Sequence, residues 1–71
     1  MNDTGQLKIA TVAEALPNAM FRLDFDDKEI GCGIGFISGR MRRNRIRVMI
    51  GDRVEVFIDP TGGHGRIERR L

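Results

Sequence analysis

Apolar and polar residues alternate in short runs along this 71-residue chain, and helical periodicity is nearly absent. Because successive side chains of a strand point to opposite faces, such runs between turn residues are typical of a small all-β barrel or sandwich. We predict five strands, at about residues 7–16, 19–25, 29–37, 45–58 and 65–70, with an interruption of the fourth at Gly51 and Asp52. Loops are predicted at residues 17–18, 26–28 and 60–63.

A short helical turn is predicted between the third and fourth strands. Ser38 suits a helix N-cap, because its hydroxyl can accept a hydrogen bond from a backbone N–H of the first turn, and residues 39–44 can form about one turn. Three meander strands, a helical link and a closing hairpin match the order of an OB-fold, although SH3-like barrels have a similar size and strand count. We predict an OB-fold in one domain, residues 1–71, with residues 1–5 disordered.

The third predicted strand is rich in glycine. Gly31, Gly33 and Gly35 alternate with larger residues, which leaves one face of the strand without side chains. Glycine weakens a strand unless a bulge, a sharp bend or a close approach of the backbone requires it. The pattern therefore indicates a structural constraint on this strand.

Positive charge is concentrated in one segment. Residues 38–47 contain five arginines and no acid, whereas the first 30 residues contain six acids and three basic residues, although the net charge is only +2. Such asymmetry steers phosphate-rich partners towards one face, and release of their counterions drives non-specific nucleic-acid binding. Arginine also binds phosphate in a bidentate manner and stacks on bases. Nucleic acid is the predicted ligand, and an adaptor whose basic face grips an acidic protein is the alternative from a different class.

Other function classes lack the residues that they need. Cys32 is the single cysteine and His64 the single histidine, so neither an intrachain disulfide nor a closed zinc site can form. The glycines do not precede a Lys-Ser/Thr pair, and a lone histidine in a loop is not a catalytic centre. No apolar run approaches the roughly 20 residues that span a bilayer. We expect a cytoplasmic protein that is not an enzyme and has no catalytic residues, metal or cofactor.

Several segments follow one pattern in order and spacing. They are residues 15–22 (ALPNAMFR), 37–44 (ISGRMRRN), 46–47 (IR), 51–54 (GDRV) and 65–67 (GRI). The pattern covers nearly the whole chain and resembles bacterial translation initiation factor 1, a single OB-fold that binds the small ribosomal subunit. The segment between Phe25 and Ile37 is longer than in that family, and the loop before Gly65 is shorter. These departures leave open whether the chain is the housekeeping factor or a diverged paralogue.

The resemblance implies a factor that docks in the aminoacyl site of the small subunit. It would insert its basic loop between rRNA elements, displace the stacked decoding adenines, and act with initiation factors two and three to keep elongator tRNA out. We expect it to be a monomer. The residues that match the family pattern are Ser38, Gly39, Met41, Arg42, Asn44, Arg47, Arg66 and Arg70. The predicted RNA-binding set also includes Arg40 and Arg43, which stand where lysine is common, together with Arg45 and Phe36.

Phe36 has two interpretations, a structural residue or an exposed platform for a base. In the family pattern Ile37 points inward, which would turn Phe36 outward and leave Gly33 and Gly35 facing the interior. A bulge would reverse this orientation. With the glycines facing the interior, three side chains could fill the space beside them: Phe21, Phe57 or Met20.

Residues 33–37 (GIGFI) are also similar to an element of cold-shock domains, another OB-fold, which stacks single-stranded bases. The chain contains no Trp and no Tyr, so the set of several rings that such domains use is missing. A cold-shock-type single-stranded RNA-binding protein or RNA chaperone is therefore the alternative within the RNA-binding class.

Overall fold

The structure is a computed structural model that describes residues 5–59 and 64–71. Within these residues the chain forms five strands and one short helix. They are β1 (Gln6–Leu16), β2 (Met20–Phe25), β3 (Cys32–Ile37), α1 (Gly39–Arg43), β4 (Arg53–Ile58) and β5 (Gly65–Arg70). The predicted loop at residues 60–63 lies outside the described residues, as do residues 1–4 of the start that was predicted to be disordered.

β1 closes the sheet into a barrel by pairing with two strands. Its C-terminal part pairs with β2 and its N-terminal part with β4, so Ala10 has one partner in each, Phe25 and Val54. The order around the closed barrel is β1-β2-β3-β5-β4. All neighbours are antiparallel except β3 and β5, which are parallel. A closed five-stranded barrel with one short helix between β3 and β4 confirms the predicted OB-fold.

Alternate positions of four strands fill the interior of the barrel. Among the described residues, the buried apolar side chains are Ala10 and Val12 in β1, Phe21 and Leu23 in β2, Val54 and Val56 in β4, Ile67 in β5 and Met41 in α1. The period of two in the sequence therefore marks the inner face of each strand, as the geometry of a pleated strand requires.

β3 contributes backbone rather than large side chains to this interior. Gly35 is buried, and a Cβ atom there would lie 2.6 Å from Leu23 Cδ1 and 3.3 Å from the carbonyl oxygen of Gly65. The glycine therefore provides the close approach that lets β3 pack beside β5. Phe36, the next residue, consequently faces outward with 37% of its surface exposed.

The side chains that lie nearest the glycines of β3 differ from the three expected ones, Phe21, Phe57 or Met20. A Cβ of Gly35 would meet Leu23, and a Cβ of Gly33 would lie 3.5 Å from the ring of Phe25. Phe21 is buried and in register with Gly35, yet its ring is not among the nearest atoms there. Contact in a barrel runs diagonally between strands, so the register partner of a glycine need not be the side chain that covers it.

Residues 45–50, predicted as the first part of the fourth strand, form a loop instead, and β4 begins only at Arg53. The alternation in the sequence still reports burial, because Ile46 and Val48 pack against the core. The backbone departs from a strand at Arg45, whose φ of 57° is left-handed. Alternation thus identified the inward side chains of Ile46 and Val48 but not the path of the chain, and it fails at Ile50, which is 66% exposed.

β3 is also shorter than predicted, because residues 29–31 belong to a turn. The N–H groups of Ile30 and Gly31 both donate to the carbonyl oxygen of Asp27, at 3.1 Å each. The carboxylate of Asp27 accepts hydrogen bonds from the N–H of Glu29 at 2.9 Å and from Lys8 Nζ at 3.2 Å. These bonds, first that from Glu29 and then that from Lys8, lower the pKa of Asp27 below its ordinary value.

The close approach at Gly35 predicts a specific sensitivity of the barrel. Replacing Gly35 with Ala should lower the free energy of unfolding by about 1 to 3 kcal/mol, because the methyl group overpacks the contact with Leu23. Gly33→Ala is the matched control, since its new methyl group would meet only an ordinary contact with Phe25. Urea unfolding of both variants measures the difference. Equal destabilisation by the two substitutions would contradict the packing argument.

Candidate nucleic-acid interface

The arginine-bearing helix α1 is attached to the barrel by its first residues. Ser38, the N-cap, is only 4% exposed, and its hydroxyl oxygen accepts a hydrogen bond from the N–H of Met41 at 3.2 Å. The N–H of Ser38 donates to the carbonyl oxygen of Ile67 in β5 at 3.0 Å. Met41 is 1% exposed and belongs to the core. Ser38 and Met41, both predicted to bind RNA, are thus placed inside the protein, where they position their neighbours.

The end of α1 is a Schellman motif. The N–H of Ile46 donates to the carbonyl oxygen of Met41 at 3.0 Å, and the N–H of Arg45 donates to that of Arg42 at 3.2 Å. Arg45 occupies the left-handed position that glycine most often takes in this motif. The N–H of Asn44, the C-cap, donates to the carbonyl oxygen of Arg40. Both ends of the helix therefore have defined hydrogen bonds, although it is only five residues long.

The loop between α1 and β4 is held from three sides. Ile46 and Val48 pack against the core, and Arg70 Nη1 of β5 donates to the carbonyl oxygen of Arg47 at 2.9 Å. The carboxylate of Asp52 accepts from the N–H of Met49 at 2.9 Å, and the backbone beside it bonds to β1. The arginines of this loop therefore project from a fixed backbone.

Four arginines of α1 and the following loop have no carboxylate partner within residues 5–59 and 64–71. They are Arg42, Arg43, Arg45 and Arg47, and all four are exposed. A guanidinium that already binds a carboxylate has fewer donors left for a phosphate. Within the described ranges, no carboxylate competes with a ligand for the donors of these four side chains.

Two other predicted RNA-binding arginines share one carboxylate. Glu68 in β5 contacts Arg66 through Oε2 and lies 3.8 Å from Arg40 Nη2 through Oε1. The guanidinium carbon of Arg66 also lies 5.2 Å from the centre of the Phe57 ring, within the range of a cation–π contact. Arg40 and Arg66 are therefore adjacent, and they join α1 to the outer face of β5.

Phe36 extends this surface onto β3. It is in register with Arg66 of β5 on one side and with Met20 of β2 on the other. Arg66 is in turn in register with Phe57 of β4. An exposed aromatic ring beside a guanidinium is a surface on which an unstacked base can lie.

The structure brings the predicted residues together. Residues 39–47 form one continuous segment, Arg40 and Arg66 meet at Glu68, Arg70 bonds to the backbone of Arg47, and Phe36 neighbours Arg66. The contacts of Glu68 and Phe57 with these arginines were not predicted from the sequence. The spacing of Arg66 and Glu68, two residues apart on a predicted strand, was the available signal, because such residues share a face.

Acidic residues at the turn between β2 and β3 form ion pairs of their own. Asp26 binds Arg53 through both oxygens, at 2.9 and 2.6 Å, and this contact raises the pKa of Arg53. Asp27 pairs with Lys8. These carboxylates are engaged with cations other than the four unpartnered arginines, so they do not neutralise the basic segment.

Two further observations apply to the part of the chain that the structure describes. No three His, Cys, Asp or Glu side chains there are grouped so that they could hold a metal ion. No helix there has the length and apolar character needed to cross a membrane.

Comparison with solved structures gives a match over almost the whole chain. Translation initiation factor 1 from the Wolbachia endosymbiont strain TRS of Brugia malayi has 39% sequence identity with this chain and a TM-score of 0.77. The match covers 97% of this chain and 80% of that protein. Similarity of this extent includes the barrel, α1 and the arginine-bearing loop.

A second solved structure shares the fold within a larger protein. YjeQ from Thermotoga maritima has 27% identity and a TM-score of 0.77, and the match covers 93% of this chain. This chain spans only 23% of the YjeQ chain, so the likeness concerns one part of that protein. No protein-family model matches the sequence.

The N-cap gives a testable prediction about how the interface is held. Ser38→Ala should lower the free energy of unfolding by about 0.5 to 2 kcal/mol, because the N–H of Met41 loses its acceptor. Ser38→Thr keeps the hydroxyl and should retain most of the stability. Thermal unfolding of the two variants tests this, and an alanine variant as stable as the original protein would show that the cap does not hold α1.

Proposed function

This chain belongs to the translation initiation factor 1 family, and we propose that it binds rRNA of the small ribosomal subunit at the aminoacyl site during initiation. The observation that supports this most strongly is the group of four arginines without carboxylate partners in the described ranges: Arg42, Arg43, Arg45 and Arg47. They lie on a segment whose backbone is fixed at both ends. A rigid, unneutralised cationic segment fits a polyanion of defined shape.

The proposed mechanism is binding without chemistry. Each guanidinium that contacts a backbone phosphate releases condensed counterions, and its planar fork can bind two phosphate oxygens. RNA is recognised mainly through its shape and its unstacked bases, so the site on the subunit would supply the specificity. The fixed backbone of the loop means that little conformational freedom is lost when these arginines bind.

Phe36 would add a contact with a base. Its ring is exposed on the outer face of the barrel, beside Arg66 in register. Stacking of a base on an aromatic side chain contributes about 1 to 3 kcal/mol. The outward orientation, which the packing of Gly35 enforces, supports this role.

The proposal extends to partners and location. Through its family, the factor would act as a monomer in the cytoplasm, together with initiation factors two and three on the subunit. Its role there would be to keep elongator tRNA out of the aminoacyl site until the start codon is set.

Co-sedimentation with purified small subunits over a salt titration tests the proposal. Arg42→Ala should weaken binding and flatten the plot of log affinity against log salt by about one unit, because one phosphate contact is lost. Lys28→Ala is the matched control. It removes one positive charge from the turn between β2 and β3, where acidic residues predominate, and should leave the slope unchanged.

Free single-stranded RNA and an acidic protein serve as competing ligands in the same experiment. Binding to free RNA as tight as to the subunit would favour the cold-shock-type alternative. Binding to the acidic protein alone would favour the adaptor. Either result, or equal salt slopes for Arg42→Ala and Lys28→Ala, would contradict the proposed rRNA contact.

Phe36 gives a second prediction. Phe36→Leu should lower the affinity for the subunit about tenfold, within the range expected for one lost base stack, while the salt slope stays the same. Phe36→Tyr keeps a ring and should retain the affinity. Equal affinities of the leucine and tyrosine variants would show that Phe36 has no stacking role.

A further inference from the structure

Glu68 lies between two arginines of the candidate interface and pairs with both. One carboxylate oxygen contacts Arg66 and the other lies 3.8 Å from Arg40, so the side chain bridges β5 and α1. Its side chain is 19% exposed, whereas those of Arg40 and Arg66 are 67% and 48% exposed. The carboxylate thus lies beneath two guanidiniums that are open to solvent.

The contacts of Arg66 orient its guanidinium but engage only one of its three nitrogens. Glu68 occupies its Nε, and the Phe57 ring supports the guanidinium. Its two terminal nitrogens have no hydrogen-bond partner among the residues that the structure describes. They can therefore donate to a phosphate while Nε remains on Glu68, or all three nitrogens can turn to a phosphate once Glu68 is displaced.

A phosphate that approaches Arg66 Nε or Arg40 Nη2 competes there with the Glu68 carboxylate. Both are anions whose oxygens can bridge two guanidiniums. Ion pairs between exposed side chains contribute little to stability, so exchange of Glu68 for a phosphate needs no disruption of the core. A phosphate gains most if it reaches both arginines, because only then does it replace both contacts of the carboxylate.

We propose that Glu68 masks Arg40 and Arg66, so that an RNA phosphate engages both arginines only by displacing the carboxylate. This inference rests on the proposed function in rRNA binding. RNA of arbitrary shape then binds mainly through the four unpartnered arginines, while RNA that places a phosphate between Arg40 and Arg66 displaces Glu68 and gains two more contacts. An RNA that displaces Glu68 must compensate for the ion pairs that it replaces, so the acid lowers the affinity of a matching site at least as much as that of arbitrary RNA.

Glu68→Gln tests this, with Glu55→Gln as the matched control. Glu55 lies on the neighbouring strand β4, pairs with Arg69 at 3.0 Å, and has a similar side-chain exposure of 21%. Both variants gain the same charge, but only Glu68→Gln releases Arg40 and Arg66. The two ligands are purified small subunits and an oligouridylate of about 12 nucleotides, within the range that an OB-fold covers.

We expect Glu68→Gln to raise the affinity for oligouridylate about five- to tenfold and to steepen its salt slope by about one unit. Affinity for the subunit should rise by at least as much, because the subunit no longer has to displace the carboxylate. Glu55→Gln should change the oligouridylate affinity by no more than about twofold. In an Arg40→Ala, Arg66→Ala background, Glu68→Gln should lose its effect.

Equal effects of Glu68→Gln and Glu55→Gln on oligouridylate would overturn the inference, because the gain would then come from net charge alone. A gain in the Arg40→Ala, Arg66→Ala background as large as in the original protein would also overturn it. The oligouridylate measurements do not need the ribosome. If no variant bound the subunit but Glu68→Gln still gained oligouridylate affinity, the proposed function would fail while the competition at Glu68 would stand.

Discussion

The burial of Met41 holds the basic segment on the barrel. A helix of five residues has too few internal hydrogen bonds to be stable by itself, so α1 exists because a side chain in its middle enters the core. Ile46 follows it into the core after the Schellman turn. Between these two apolar anchors lie Arg42, Arg43 and Arg45, whose positions are consequently set by hydrophobic packing rather than by their charges.

Ion pairing with carboxylates of the protein, more than the number of arginines, determines which arginines can bind a ligand. Arg53 and Arg69 have carboxylate partners, Arg40 and Arg66 share one, and those of the loop and the rest of α1 have none in the described ranges. A net charge of +2 therefore understates the field around α1. On the outer face of β5, by contrast, Glu68 compensates part of the positive charge of Arg66 until the acid is displaced.

The sequence was sufficient to predict the barrel and the segment on which the exposed arginines lie, because both follow from local patterns. Alternation marked the inner faces of the strands, and Ser38 marked the start of α1. Alternation failed at residues 45–50, because Ile46 and Val48 reach the core from a loop, and burial does not reveal whether a backbone is paired. Phe57 meets Arg66 across two strands, and Glu68 reaches Arg40 of α1. These contacts require the register and the placement of α1 that only the structure supplies.

Arg45 shows a compromise between conformation and charge. A residue with a Cβ atom in the left-handed region is less stable than glycine by roughly 1 to 2 kcal/mol. Glycine there would relax the end of α1 but remove one guanidinium from the segment. The chain therefore tolerates a strained backbone at a residue that contributes to its positive potential. Selection for thermal stability alone would be expected to replace this arginine first, and so to weaken that potential.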